Sequence, residues 1–250
     1  MIPIAGYRFR IRDLPFLALA KMGKILLGGP TKNYLLRPVV IGVEGHRWIW
    51  RPKSDDGVAF GRHEPFLMTH MKLDPSEVFL DVGAHVGRYT VRLAKRCRQV
   101  IAIEPNPHNL AGLRINLELN RLSNVRIIPF AAWDEEAIIT LSNSGAGSTS
   151  RASGGGLRVK AIPIDALEFE GRLGLIKIDV EGSEVKVLEG ARKTIAKHRP
   201  AIIVEVHSGL YGEHLWKSVV KILTELGYGH EEIGRIGGSV YLLARSDKHL

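Results

Sequence analysis

The chain has 250 residues, 35 of them Lys or Arg and 26 Asp or Glu, for a formal net charge of +9, and 45% of it is apolar. This length suits one large domain or a domain with a modest extension, and excludes a minimal scaffold that needs covalent staples. The single Cys97 excludes an intrachain disulfide and a Cys-rich zinc centre, and it fits a reducing, cytoplasmic setting. No run approaches the ~18–20 apolar residues of a membrane-spanning helix.

The charge is uneven. Residues 1–75 carry 12 basic and 6 acidic side chains, a net of +6, and residues 76–250 carry 23 and 20, a net of +3. The excess lies around Arg8, Arg10, Arg12, Lys21 and Lys24. It reads either as attraction to RNA, a lipid surface or an acidic glycan, or as a plain solvated face. Asp13 to Leu27 reads as an amphipathic helix. Lys21 and Lys24 break its apolar run and no small-x-small cleavage site follows, which argues against a signal peptide. The helix packs on the main domain or, as the sharper alternative, touches a membrane surface.

Val39 to Trp50 predicts a hairpin turning at Glu44-Gly45, with Trp48 and Trp50 on one side as core residues or as an aromatic platform. A helix is expected from about Glu64 to Met71. Residues 1–63 thus read as a basic helix-and-hairpin extension, and residues 64–250 as the main domain.

From Val78 onward short apolar runs alternate with helical stretches. Strands are expected at Val78–Leu80, Val100–Ile103, Val125–Ile128, Leu175–Ile178 and Ala201–Val206. Helices are expected after the first of these through Lys95, and over Pro107–Asn120, Ser183–Ala196 and Leu215–Leu226. Such alternation predicts an α/β fold, a doubly wound, mostly parallel sheet of βαβ units. Gly229–Ile233 and Ser239–Leu243, joined by Arg235-Ile236-Gly237-Gly238, predict a closing antiparallel hairpin. Between strands at Ala137–Leu141 and Leu157–Ile164, the segment Ser142 to Gly156 is rich in Ser and Gly, and reads as a flexible tip or as a lid.

Asp81-Val82-Gly83-Ala84-His85-Val86-Gly87 follows the first core strand and opens a helix. Gly83 permits a tight turn close to a ligand, and Gly87 lets the helix approach it. Asp81 is expected at the strand end, accepting hydrogen bonds from an ammonium or ordered water. Glu104-Pro105 ends the next strand, where a carboxylate meets the hydroxyls of a nucleoside ribose. The Asp81–Glu104 interval matches the roughly 20-residue spacing of nucleoside-binding βαβ units. With only two glycines and a leading Asp, the turn suits phosphate-free S-adenosylmethionine better than a dinucleotide.

These residues carry a specific resemblance. Val78 to Gly87 resembles the first motif of FkbM-type, S-adenosylmethionine-dependent methyltransferases. Leu175 to Glu184 resembles their K-I-D-V-E-G-x-E signature, Ile164 to Leu167 a short segment before it, and Ile203 to His207 their fifth strand. The resemblance implies the seven-stranded Rossmann-like sheet of class I methyltransferases and O-methylation of a hydroxyl on a sugar, glycan or small molecule. RNA, methylated on ribose or base, is the alternative acceptor. A non-catalytic nucleic-acid or membrane-surface module is the reading from another class. By the same resemblance, Asp81, Gly83, Ala84, His85 and Gly87 border the methionine side of the cofactor, with His85 where Asn is commoner. Glu104 and Pro105 lie at the ribose, and Ala132 and Trp133 at the adenine. Asp179 lies at the crevice.

Lys177 and Asp179 share one strand face, which brings Asp179 to the carboxyl end of the strand. Asp179, Glu181 and His207 are the candidates for accepting a hydroxyl proton or holding substrate. Glu181 or Glu184 bracing turn amides, and Ser183 capping the next helix, are the structural readings. Asp179, Glu181, Glu205 and His207 are hard ligand types, but no ligand spacing supports a metal site, and none is expected.

Overall fold

The computed structural model describes residues 2–4, 7–9, 39–50, 66–141 and 156–246. The helix expected over residues 13–27 lies outside the described residues, as does the Ser/Gly-rich segment up to residue 155. Among the described residues, no helix is long and apolar enough to cross a membrane.

Near the start, β1 (Ile2–Ile4) and β2 (Tyr7–Phe9) pair antiparallel. The expected hairpin is β3 (Val39–Val43) and β4 (His46–Trp50). Its turn has both central residues, Glu44 and Gly45, at positive φ, as the tightest hairpin turns require. Trp48 is a core residue, with the Arg92 guanidinium over its ring and Glu44 bound to that guanidinium.

The main sheet contains β5 (Val78–Val82), β6 (Gln99–Ile103), β7 (Val125–Ile128), β11 (Leu173–Ile178), β12 (Ala201–Val206), β13 (Tyr228–Ile236) and β14 (Ser239–Ser246). Its spatial order is β13-β14-β12-β11-β5-β6-β7. The five strands from β12 to β7 are parallel, and the last two close the sheet antiparallel, as expected. The parallel strands read as unbroken apolar runs because helices cover both faces. All five residues of β5 and all six of β11 are buried, Asp81 and Lys177 included.

The helices are α1 (Leu67–His70), α2 (Arg88–Leu93), α3 (Pro107–Leu119), α4 (Glu184–Glu189), α5 (Arg192–His198), α6 (Ser208–Tyr211) and α7 (Glu213–Glu225). The chain leaves β5 for β6 on one side and reaches β11 on the other. Their carboxyl ends therefore diverge at a topological switch point, where open α/β sheets hold their ligands.

Two local expectations need correction. The single helix expected from Ser183 to Ala196 is two helices. Gly190 lies so close to the Trp133 carbonyl that a Cβ would approach its oxygen to 1.9 Å. The Asp165 carboxylate then accepts the Lys193 and Thr194 amides at 3.0 and 2.7 Å, starting α5 afresh. Ser183 makes no capping bond, and the Glu184 carboxylate accepts the Gly182 amide at 3.0 Å instead. The strands expected on either side of the Ser/Gly-rich segment are β9 (Ala137–Leu141) and β10 (Leu157–Ile162), and with β8 (Ala131–Ala132) they form a sheet of their own.

Candidate active site

The turn after β5 folds over the end of β6. The Gly83 and Ala84 amides both donate to the Ile103 carbonyl, at 2.9 and 3.0 Å. Gly83 has φ +80°, and a Cβ there would come within 1.8 Å of the Asp179 carbonyl oxygen. Glycine is thus required both by conformation and by the close approach of β11's end. Ala84 is buried, and Gly87, also at positive φ, lets α2 start against Leu113 of α3.

His85 is left-handed, with φ 53°, and its amide donates to Glu104 Oε2 at 2.8 Å. Glu104 Oε1 accepts the Asn106 amide at 2.8 Å and Asn109 Nδ2 at 3.3 Å. A carboxylate offers about four acceptor positions, so these three bonds orient it and leave capacity for a ligand hydroxyl. Burial pushes the Glu104 carboxyl above its ordinary range, against the pull of those bonds. Pro105 follows it, half-buried, and leads into α3.

Asp81 stands near the carboxyl end of its strand, as expected, but is already bonded from within the fold. It lies within β5, fully buried, and its Oδ2 accepts both the amide and the hydroxyl of Thr90, at 3.0 and 2.6 Å. It ties α2 to the strand and feels the Lys177 charge, while its Oδ1 is buried without a hydrogen-bond partner among the described residues. Ala132 ends β8 of the small sheet, and Trp133 follows it. The Trp133 ring packs beside Ala131, Leu141 and Val159, with the Lys186 ammonium 5.7 Å above it.

Asp179, Glu181 and His207 do come together. His207 follows β12 and is buried. Its Nδ1 lies 2.7 Å from Glu184 Oε1, and its Nε2 faces Glu181 Oε2 at 3.3 Å, Glu205 Oε1 at 3.5 Å and Asp179 Oδ1 at 3.8 Å. The other Asp179 oxygen accepts a 2.8 Å bond from buried Lys177, whose ammonium also sits 4.9 Å above the Tyr89 ring. The Asp179, Glu181 and Glu205 side chains are 28%, 34% and 14% exposed, so this face is open to solvent on the carboxylate side.

The charges settle one another. Burial alone would neutralise Lys177, but Asp179 and Asp81 hold its pKa above the ordinary value. Burial would also raise Asp179, and the Lys177 ammonium, then His207, overcome it and keep that carboxyl below its usual range. Burial opposes a charged His207, yet the Glu184 hydrogen bond, then Asp179 and Glu181, push it up to about 9. Burial and the neighbouring Asp179 push Glu205 up to about 8, and burial raises Glu181 as well. At neutral pH Asp179 is therefore the ionised carboxylate, and His207 is an imidazolium rather than a ready base. The ligand atoms of Asp179, Glu205 and His207 lie within 4.8 Å of one another, a spacing that would admit a cation. His207's own proton and the Lys177 ammonium already supply positive charge there.

Residues 81–229 match the model of the methyltransferase FkbM domain. The chain belongs to the FkbM methyltransferase family. It is an enzyme, and the non-catalytic reading falls. The FkbM chain is 26% identical over 201 residues to a hexuronic acid methyltransferase, AglP, of Haloferax volcanii, covering 78% of both chains. A 76-residue stretch, 30% of this chain, is 36% identical to 16% of an uncharacterized RNA methyltransferase of Synechocystis. A methyltransferase FkbM structure from Methylobacillus flagellatus superposes with a TM-score of 0.55 at 22% identity, over 78% of this chain. This chain spans about half of that one, 48%.

The sequence reading of this FkbM site missed the alliance of Glu184 with His207 and the Tyr89 ring under Lys177. The spacing of the signature gives a hint for Glu184, which lies five residues after Asp179 on the far side of a turn. Nothing local to Tyr89 signals its neighbour 88 residues away.

Proposed function

We propose that the chain is an S-adenosylmethionine-dependent O-methyltransferase acting on a hydroxyl of a sugar, a glycan or a small polyhydroxylated molecule. The observation that carries this reading is the contact between the two halves of the site. Gly83, in the turn expected on the methionine side of the cofactor, abuts the backbone of Asp179, whose ionised side chain opens toward Glu181 and Glu205. Glu104 fits the ribose role, because its carboxylate is held by three donors and keeps an acceptor position.

When bound, the cofactor supplies an electrophilic methyl carbon on a sulfonium, so the protein's main task is alignment. Asp179 Oδ1 accepts the proton of the attacking hydroxyl, while Lys177 holds Oδ2 and keeps the carboxylate charged until that moment. Glu181 and Glu205 offer oxygen atoms to neighbouring hydroxyls of the acceptor. Those hydrogen-bonding oxygens suit sugar hydroxyls, and this, rather than the charge of the face, ranks a neutral polyol above RNA despite the basic N-terminal region.

The test is titration calorimetry with S-adenosylmethionine, followed by transfer of labelled methyl groups to fractionated glycans, small molecules and RNA. Asp179→Asn keeps shape and removes the proton acceptor. Turnover should drop by ~10²-fold or more with cofactor affinity little changed. Absence of cofactor binding at millimolar concentration defeats the proposal, and label found only in RNA reverses its choice of acceptor.

A further inference from the structure

We propose that Glu184, the last residue of the K-I-D-V-E-G-x-E signature, is a positioning residue that fixes which nitrogen of His207 faces the acceptor side of the site. The inference rests on the reading of that face as the methyl-acceptor site. Nothing in the proton transfer assigned to Asp179 uses Glu184, yet Glu184 is fully buried at the first turn of α4. A carboxylate so placed is costly unless its hydrogen bonds compensate.

Those bonds are specific. Glu184 Oε1 accepts the Gly182 amide at 3.0 Å and lies 2.7 Å from His207 Nδ1. An ionised carboxylate only accepts, so the contact requires a proton on Nδ1. The other nitrogen, Nε2, is thereby turned toward Asp179, Glu181 and Glu205. The groups facing the ring come from every side: Asp179, itself bonded to Lys177, from the end of β11, Glu181 from the turn, Glu184 from α4 and Glu205 from β12.

With Nδ1–H committed to Glu184, Nε2 has two states. Protonated, it donates toward the oxygens of Asp179, Glu181 and Glu205. Bare, it is an acceptor among acceptors. Glu184 therefore does two things at once: it sets the tautomer, and its hydrogen bond favours the imidazolium around which those three side chains gather. The Gly182 bond adds the turn to this arrangement, because one oxygen holds both the backbone before α4 and the ring after β12. This accounts for a glutamate at the end of the signature, where a turn brace alone is satisfied by the amide.

Histidine ring nitrogen NMR on the ligand-free protein tests the proposal without any substrate, with the His207 signals assigned by their loss in His207→Gln. In the unsubstituted protein His207 should stay doubly protonated through pH 8 and deprotonate to the form with the proton on Nδ1. Glu184→Gln keeps the shape and one acceptor but loses the charge, and should lower the His207 midpoint by ~1 pH unit or more, the size of one charge-assisted hydrogen bond. The same variant should move the alkaline limb of the turnover profile and leave cofactor affinity unchanged, which a purely structural brace would not do. A folded Glu184→Gln with an unmoved His207 midpoint overturns the proposal. If that variant does not fold, the unsubstituted protein decides, since a neutral His207 carrying its proton on Nε2 overturns it as well. Calorimetry with S-adenosylmethionine is independent of these measurements, so failure of the methyltransfer reading is recognised separately.

Discussion

Single side chains in this site are set by their neighbours more than by their type. Glu104 is the clearest case for cofactor binding. Charge-assisted hydrogen bonds contribute ~1.5–3 kcal/mol each, so Glu104→Ala should weaken S-adenosylmethionine binding at least ~10-fold by calorimetry. His207 and Glu205 make a pH prediction. The fold raises His207 from 6.5 to about 9 and Glu205 from 4.5 to about 8, so both bind their protons more tightly folded than unfolded. Their stabilisation is complete below the unfolded values and is lost as pH rises through about 8 and 9. The thermal midpoint should therefore fall from pH 7.5 to 9.5, and His207→Gln should flatten the decline. An unchanged slope in that variant would move the titration elsewhere.

At the scale of elements, the short capping contacts decide where helices stop. Asp165 accepts two amides at the start of α5, and Asp165→Ala should cost ~0.5–2 kcal/mol in chemical denaturation while leaving cofactor affinity alone. The βαβ alternation, the hairpin at Glu44-Gly45 and the closing antiparallel pair are legible in the sequence because each is encoded by local periodicity and turn chemistry. The break at Gly190 is not, since its cause is a carbonyl from Trp133, far away in the chain. The bonds from Thr90 to Asp81 are hidden for the same kind of reason. An open strand-end carboxylate and a buried one look alike until Thr90 is seen to hold one of its oxygens. The cluster of Asp179, Glu181 and His207 was legible as strand-end chemistry, whereas the proton balance among them depends on Lys177, Glu184 and Glu205 at distances no spacing rule supplies.

At the scale of the whole molecule, the excess charge lies early in the sequence. The first 75 residues hold +6 of the total +9, while the carboxylates around His207 are balanced by its own charge and by the Lys177 ammonium. Methyl transfer to a neutral sugar should therefore vary little between 50 and 200 mM salt, and replacing Arg8, Arg10 and Arg12 with Gln should leave it unaltered. A log–log slope of binding against salt steeper than about −2 would instead signal phosphate contacts and promote RNA. Besides the Arg92 contacts to Glu44 and Trp48, the hairpin of β3 and β4 is joined to the α3 region by two asparagines. Asn116 accepts the Ile49 amide, and Asn120 bonds both the amide and the carbonyl of Arg47, across 67 and 73 residues of chain. Those side chains imitate a neighbouring strand, but they are in place only once α3 has formed on the growing sheet. Loop closure over such a separation is slow relative to building one βαβ unit. The hairpin should thus close late and open early, a clasp over a sheet already assembled, and in hydrogen exchange its Arg47 and Ile49 amides should lose protection ahead of those of β5.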